Sequence, residues 1–428
     1  MVYAKSASAK PSKRRLAAAI DLGASKVACL IAAIDENDET EIIGVGQQGI
    51  VLRDARRDTA AASETALRAA VDAAERMAGS RIHKAVFAAP GRQLLARRIG
   101  VDLDLAGGAV TREDVRDCLD QGVRLAACDG ARALHALPVA FSVDGEEAGS
   151  NPCGLMGGAL TTQMLGVSVR ESCDANIRAL AARCDLAVER LIAAPFAASQ
   201  TVLVDDEKDL GCLMVDIGAR TTDFAVFEDG ALVACGGVKL GGEHITRDIA
   251  QIFGGPIADA ERMKTLHGSA LPGAGDDHRF AELTQLGQAH ETARVTKSEL
   301  TAVIAPRLEE ILSLTFEAAV HAVGRQSSAG LRRAVLTGGG SLLTGARETA
   351  ERVFGVKARL GRPTALNGAP DAATAPQFSV CVGALQQAAQ PQEGWLQSGE
   401  EDYFRRDQAH ASGGGLWGGV AKWMRANF

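Results

Sequence analysis

Two apolar stretches flank Asp21-Leu22-Gly23 near the start of the chain, and they predict a strand, a tight turn and a second strand between about Leu16 and Ile34. A third strand is expected from about Glu41 to Val51, then an Ala-rich helix from about Thr59 to Met77 and a short strand from Ala85 to Ala89. From there to about Val169 the character changes to short strands, one charged helix (Arg112 to Ala126) and a Gly-rich segment from Asn151 to Gly158. Cys173 to Cys184 have helical periodicity, and Asp185 to Ile192 lead into a turn at Pro195 and another helix. Gly211 to Ala234 then repeat the opening theme, with Asp229-Gly230 as a hairpin turn. Helical patterning dominates from Glu243 to Val323, and Ala334 to Leu336 form a strand running into Thr337-Gly338-Gly339-Gly340. Beyond Leu385 the composition is that of a polar linker, and a last amphipathic segment starts at Leu416.

The repeat carries the most information. Ala19-Ile20-Asp21-Leu22-Gly23 and Met214-Val215-Asp216-Ile217-Gly218 share one pattern at domain-scale separation, which implies two related halves and not a solenoid. A glycine after the acid lets backbone N–H groups approach phosphate oxygens with no Cβ in the way. Ser25 at the first turn, and Thr221 and Thr222 at the second, offer hydroxyls. Neither Asp21 nor Asp216 can bind phosphate directly, so each is expected to hold Mg²⁺ through water. Gly338-Gly339-Gly340-Ser341 follows a strand and opens a helical run, which suits close approach to adenine, ribose or the α-phosphate.

Composition narrows the classes. The 428 residues are 46% hydrophobic, enough for more than one core. A formal charge of −7 gives no global reason to bind nucleic acid. The nine cysteines form no CxxC pair, which argues against a zinc ribbon or a disulfide framework. No apolar run approaches the roughly 20 residues that span a bilayer. The basic start, with Lys5, Lys10, Lys13, Arg14 and Arg15, reads as a flexible tail and not a secretory signal. Gly44-Val-Gly-Gln-Gln-Gly49 matches a dinucleotide fingerprint only literally, because extended chain follows it, and no P-loop motif is present.

In chain order, Asp21-Leu-Gly23, Asp216-Ile-Gly218-x-x-Thr221-Thr222-Asp223 and Gly338-Gly339-Gly340 resemble the phosphate and adenosine motifs of the actin, Hsp70 and sugar-kinase superfamily. Lys239-Leu-Gly241-Gly242-Glu243 resembles its glycine pair opening a helix, where a helix N-terminus favours phosphate. Glu261 and Lys264 match a helix that reaches the ribose or adenine in relatives. The bacterial FtsA branch of cell-division proteins is the most similar. The similarity lies in Asp21-Leu-Gly-Ala-Ser-Lys26-Val27, in Val115 to Gly158 and in Ala334-Val-Leu-Thr-Gly-Gly-Gly340. The resemblance implies an α/β, actin-like (ribonuclease-H-like) duplicated fold with an inserted small α/β subdomain. It also implies ATP and Mg²⁺ as cofactors, with Lys26 among the nucleotide contacts. The second turn departs from the usual Gly pair with Ala219-Arg220, so slow or vestigial turnover is expected.

On that basis the basic tail is 1–15, the first core subdomain 16–83 and 170–200, and the insertion 84–169. The second core subdomain is 201–242 and 324–386, a helical fourth subdomain 243–323, a linker 387–415 and a terminal helix 416–428. In that helix Leu416, Trp417, Val420, Trp423, Met424 and Phe428 fall on one arc, with Lys422 and Arg425 opposite. Tryptophan beside cationic residues suits an anionic lipid headgroup zone, so a membrane-surface helix is favoured over one packed on the protein's own core. The implied partners are the C-terminal peptide of the division tubulin homologue FtsZ, other division proteins and further copies of the chain in a filament. The implied place is the cytoplasmic face of the cell membrane at the division site. The peptide's expected dock includes Lys297, Arg307 and Glu310. A pilus-assembly actin homologue is the alternative, followed by a small-molecule kinase and an Hsp70-like chaperone.

Overall fold

The computed structural model describes residues 14–36, 39–50, 59–286, 288–324, 330–364 and 366–389. Most of the basic tail, nearly all of the linker and the whole terminal helix lie outside these residues.

The chain opens with β1 (Arg15–Leu22), β2 (Lys26–Ile34), β3 (Thr40–Gly49), α1 (Thr59–Ala78) and β4 (Lys84–Ala89). Next come β5 (Leu94–Asp104), α2 (Arg112–Ala126), β6 (Ala131–Val143), β7 (Glu146–Glu147) and β8 (Ala159–Arg170). The chain returns through α3 (Glu171–Arg183), β9 (Ala187–Ala193), α4 (Ala194–Val202) and α5 (Asp205–Leu210). The second half begins with β10 (Cys212–Ile217), β11 (Thr222–Glu228) and β12 (Ala231–Val238), then α6 (Gly242–Phe253) and α7 (Ile257–His267). It continues with β13 (Phe280–Gln285), β14 (Gln288–Thr296) and α8 (Lys297–Val323). It closes with β15 (Arg333–Thr337), α9 (Ala346–Phe354), β16 (Lys357–Leu360) and α10 (Ser379–Ala389).

The two halves are built alike. One five-stranded sheet runs β3-β2-β1-β4-β9 and the other β12-β11-β10-β15-β16. In each, the acid-bearing strand pairs antiparallel with its hairpin partner and parallel with the next strand, β1 with β4 and β10 with β15. Although β2 pairs antiparallel with both neighbours, helices α1 and α10 both pack on it, so it is buried continuously from Val27 to Ile34 and does not alternate. The inserted unit is a separate sheet, β5-β8-β6-β7, with its own core of Ile99, Val115, Leu119, Phe141, Leu160 and Met164. Its helix α2 starts at a capping box, Thr111 with Asp114, so its first free N–H groups have side-chain partners.

Three boundaries differ from the expectation. β4 hydrogen-bonds to β1 and β9 in the first core sheet, so the chain leaves that sheet after Ala89 and not at residue 84. The region from Glu243 to Val323 is not helical throughout, because β13 and β14 form an antiparallel hairpin within it. Ala281, Leu283 and Val295 from that hairpin are buried in the core of the second half, a period-two signal carried by too few large apolar residues to stand out. Finally, α10 packs into the core of the first half and not the second: Val380, Cys381, Val382, Ala384 and Leu385 join Ile20, Phe87 and Ala197 there.

Gly44-Val-Gly in β3 has a packing role. A Cβ on Gly46 would lie 1.8 Å from the Ala70 carbonyl oxygen of α1, so strand and helix touch backbone to backbone. Gly46→Ala is expected to cost about 3 kcal/mol or more by forcing α1 off the sheet. Gly49→Ala, where the nearest atom is 3.9 Å away, is expected to be nearly neutral. Denaturant unfolding of the two chains measures the difference.

Candidate functional site

The two acid-bearing turns have the same local geometry. A Cβ on Gly23 would lie 2.8 Å from the Lys26 carbonyl oxygen, and one on Gly218 would lie 2.8 Å from that of Thr221. Each turn therefore needs glycine for the same steric reason. In the second, the Gly218 N–H donates to the Thr221 carbonyl at 2.9 Å. The N–H groups of Ala24, Ser25, Ala219 and Arg220 have no protein acceptor among the described residues. Two short rows of unpaired donors thus sit beside the two carboxylates, as an anion cradle requires.

The third motif lies directly on the second. β15 runs parallel to β10 with Asp216 beside Thr337, and the chain then turns at Gly338 with φ +79°. A Cβ on Gly338 would fall 2.1 Å from Asp216 Oδ1, and one on Gly340 would fall 2.3 Å from Ile217 Cγ2. Gly339 carries no such restriction and is exposed. The expected helical run at Ser341 is a short 3₁₀ turn, Gly339–Leu342, and α9 begins only at Ala346.

The electrostatics of the floor come from three acids and one lysine. Asp21 and Asp216 remain partly open, while Asp223 is buried. Burial, then the neighbouring Asp223 and Asp21 charges, push Asp216 up to about 8, with Lys26 opposing. Burial also pushes Asp223 up to about 7, against the Gly91 N–H that donates to it, and raises Asp21 against the pull of Lys26. Lys26 is itself lowered by burial, with Asp21 and Asp216 opposing; its Nζ donates to the Gln377 carbonyl at 3.0 Å and lies 4.9 Å from the centre of the Phe378 ring. Three acids thus share the floor with one ammonium, and burial favours the neutral form of each. That donor set fits a hydrated divalent cation. Among the described residues no three acidic, His or Cys side chains converge closely enough to ligate a bare metal ion.

Several expected contacts are committed elsewhere in the fold. The Thr222 hydroxyl is fully buried and donates to the Leu240 carbonyl at 2.8 Å, so it is no phosphate ligand. Ser341 Oγ donates to the Gly338 carbonyl at 2.7 Å and braces its own turn. The helix N-terminus at Gly241-Gly242 is occupied too: the Gly242 N–H donates to the Gly218 carbonyl at 2.9 Å and the Glu243 N–H to that of Ala219 at 2.7 Å. A Cβ on Gly241 would lie 2.5 Å from the Gly218 carbonyl oxygen, so this glycine lets α6 dock on the turn. The Glu261 and Lys264 pair is more than a solvated face. Lys264 Nζ reaches Glu261 at 2.7 Å, the Thr246 hydroxyl at 2.8 Å and the Gly242 carbonyl at 3.0 Å, tying α7 to the start of α6.

Asp223 is absent from the sequence-derived site. Its Oδ2 accepts the Gly91 N–H at 2.7 Å, and its Oδ1 is buried with no hydrogen-bond partner among the described residues. Gly91 leads into β5, so this acid joins the second turn's strand to the root of the inserted unit. The signal in the sequence was a lone acid inside the apolar strand Thr222–Glu228.

On the far side of α6, a groove of about 350 Å³ is lined by Asp248, Ile252, Ala302, Val303, Pro306, Arg307 and Glu310. Arg307 binds Asp248 through Nε at 2.5 Å and Nη2 at 3.1 Å, and also pairs with Glu310. Lys297 does not line this groove; it stands at the start of α8, 3.8 Å from Asp276 Oδ1.

Comparison with known proteins agrees with this architecture. The family profile described as cell division protein FtsA matches residues 213–383, and that of the SHS2 domain inserted in FTSA matches residues 93–168. The cell division protein FtsA of Rhizobium meliloti (strain 1021) is 32% identical over 443 residues, covering 98% of this chain and 96% of that protein. That of Escherichia coli (strain K12) is 31% identical over 385 residues, covering 88% of this chain and 91% of the relative. A solved PilM-PilN type IV pilus biogenesis complex superposes with a TM-score of 0.59 at 17% identity, covering 88% of this chain and 99% of that one. At that identity the likeness is one of fold.

Proposed function

Because the chain belongs to the FtsA family of cell division proteins and has an actin-like fold with that family's inserted domain, we propose that it is the nucleotide-dependent membrane tether of the division ring. In this reading ATP with Mg²⁺ sits between the two Asp turns. Filaments of the chain form on the cytoplasmic face of the membrane, the terminal helix holds them there, and FtsZ and later division proteins are recruited.

The observation that supports the nucleotide part is the facing pair of turns, each with one acid, one sterically required glycine and N–H groups without a protein acceptor. Ala24, Ser25, Ala219 and Arg220 would cradle phosphate through their backbone, and Asp21 and Asp216 would hold the hydrated Mg²⁺. The cation, when bound, neutralises the β- and γ-phosphates. Asp223, with one free oxygen at the floor, is the residue that would orient a water there.

The groove between α6 and α8 is the proposed dock for the FtsZ C-terminal peptide, with Arg307 and Glu310 at it and Lys297 outside it. A pilus-assembly role is disfavoured: similarity to that system is confined to fold at 17% identity, against 32% along nearly the whole chain for the division relatives. Among the described residues no helix is long and apolar enough to cross a membrane; in this reading the anchor is the amphipathic segment 416–428.

Liposome co-sedimentation tests the tether. The intact chain should pellet with anionic vesicles and carry FtsZ down, and a chain ending at Gly415 should do neither. Short interfacial helices bind weakly one at a time, so ATP-driven assembly should strengthen pelleting about tenfold or more. An Arg307→Glu chain should still pellet while losing FtsZ. Equal behaviour of the intact and shortened chains would remove the terminal helix from the reading.

A further inference from the structure

The second phosphate-side turn carries an arginine where a small residue would leave bare backbone. Arg220 is turned onto α6: its Nε donates to Glu243 Oε2 at 2.5 Å, while Glu243 Oε1 accepts from Arg247 Nη2 at 2.7 Å. Both members of the Arg220–Glu243 pair keep partial exposure, 35% and 21% of their side chains. The turn beneath them is fixed independently, by the two α6 N–H groups that donate to the Gly218 and Ala219 carbonyls. Releasing the ion pair therefore leaves the backbone of the turn in place. On the same turn, the N–H groups of Ala219 and Arg220 have no acceptor among the described residues. Arg220 thus stands between two anionic partners, Glu243 and whatever these N–H groups bind.

We propose that Arg220 is a triphosphate-sensing latch, resting on Glu243 when no terminal phosphate is present and moving onto it when a nucleoside triphosphate binds. This rests on the nucleotide reading of the cleft. A guanidinium forms its strongest paired hydrogen bonds with phosphate, and a terminal phosphate carries more charge than a carboxylate already shared with a second arginine. The exchange leaves no stranded charge, because Glu243 keeps Arg247. A diphosphate offers no terminal group at that position, and Arg220 returns to Glu243. Arg220 is in this sense a specificity-determining residue for triphosphate over diphosphate.

The test is the affinity of the full chain for ATP and for ADP in Mg²⁺, read by displacement of a fluorescent nucleotide analogue. Glu243→Gln weakens the resting partner, so ATP should bind roughly tenfold more tightly with ADP nearly unchanged. Arg220→Gln should weaken ATP by roughly tenfold and abolish the preference for ATP. Arg220→Lys, which keeps the charge without the fork, should fall between. The two substitutions break the same ion pair, yet the latch requires effects of opposite sign on ATP. If both weaken ATP and ADP together, or neither changes the ratio, Arg220 is a static brace and the latch is wrong. If the unaltered chain binds neither nucleotide, the nucleotide reading fails and the latch with it.

Discussion

Asp216→Asn should give a chain that is more stable without ligand and at least about 30-fold weaker in binding Mg²⁺-nucleotide. The first effect follows from burial. Asp216 lies under Gly338, within reach of the Asp21 and Asp223 charges, and its carboxyl is pushed up to about 8. The unfolded carboxyl ionises near its ordinary value of 3.8. Between those values the folded chain binds the proton that the unfolded chain releases, so stability present at acid pH is lost as pH rises through 8. Each unit is worth about 1.4 kcal/mol, so near pH 7 the neutral amide should recover on the order of 2–4 kcal/mol, roughly 5 °C or more in thermal midpoint. The second effect follows because the amide cannot hold a hydrated cation as a carboxylate does. Melting curves and nucleotide titrations of one preparation read both. A destabilised Asp216→Asn chain would mean that the acid is a structural partner and carries no functional strain.

His135 sets the opposite slope. It stands on β6 of the inserted unit, and its Nε2 accepts the Ala193 N–H of the core at 3.1 Å, with its ring 5.0 Å from that of Phe196. Burial, with Arg190 adding to it, holds the imidazole down to about 3. From 6.5 to 3 the unfolded chain takes up a proton that the folded one refuses, so stability falls as pH drops through that window. By pH 5 the loss reaches about 2 kcal/mol. His135→Gln keeps an acceptor for Ala193 and removes the titration. Its stability should therefore vary less between pH 7.5 and 5 than that of the parent, in paired denaturant unfolding curves. Parallel curves would show that the contact between insertion and core does not depend on a neutral ring.

The duplicated hairpins were legible because their rule is local: acid, apolar residue, glycine, with strands on both sides. Helix α2 was equally legible as a charged helical segment, its bounds matching Arg112–Ala126. The hairpin β13–β14 was not, because only part of its period-two pattern is apolar and helices surround it. At the site, the sequence identifies which residues can donate or accept but not which are already engaged. Thr222 and Ser341 have the right chemistry, yet both are consumed within the protein. Asp223 was quoted within its motif but gained a role only once the fold brought Gly91 to it across a long separation in sequence.

Helix α10 bears on the order in which the molecule can be made. It is buried around most of its circumference in the first half, and a Cβ on Gly383 would lie 1.9 Å from the Ala197 carbonyl oxygen of α4. The first half's core therefore stays incomplete until residue 389 leaves the ribosome, roughly 10–40 s after α4 at about 5–20 residues per second. During that interval the apolar seat for α10, formed by residues such as Ile20, Phe87 and Ala197, faces solvent or a chaperone. A fragment stopped before Ser379 is thus a trapped nascent state, prone to aggregation, and the two halves cannot be produced as independent pieces by cutting the chain between them.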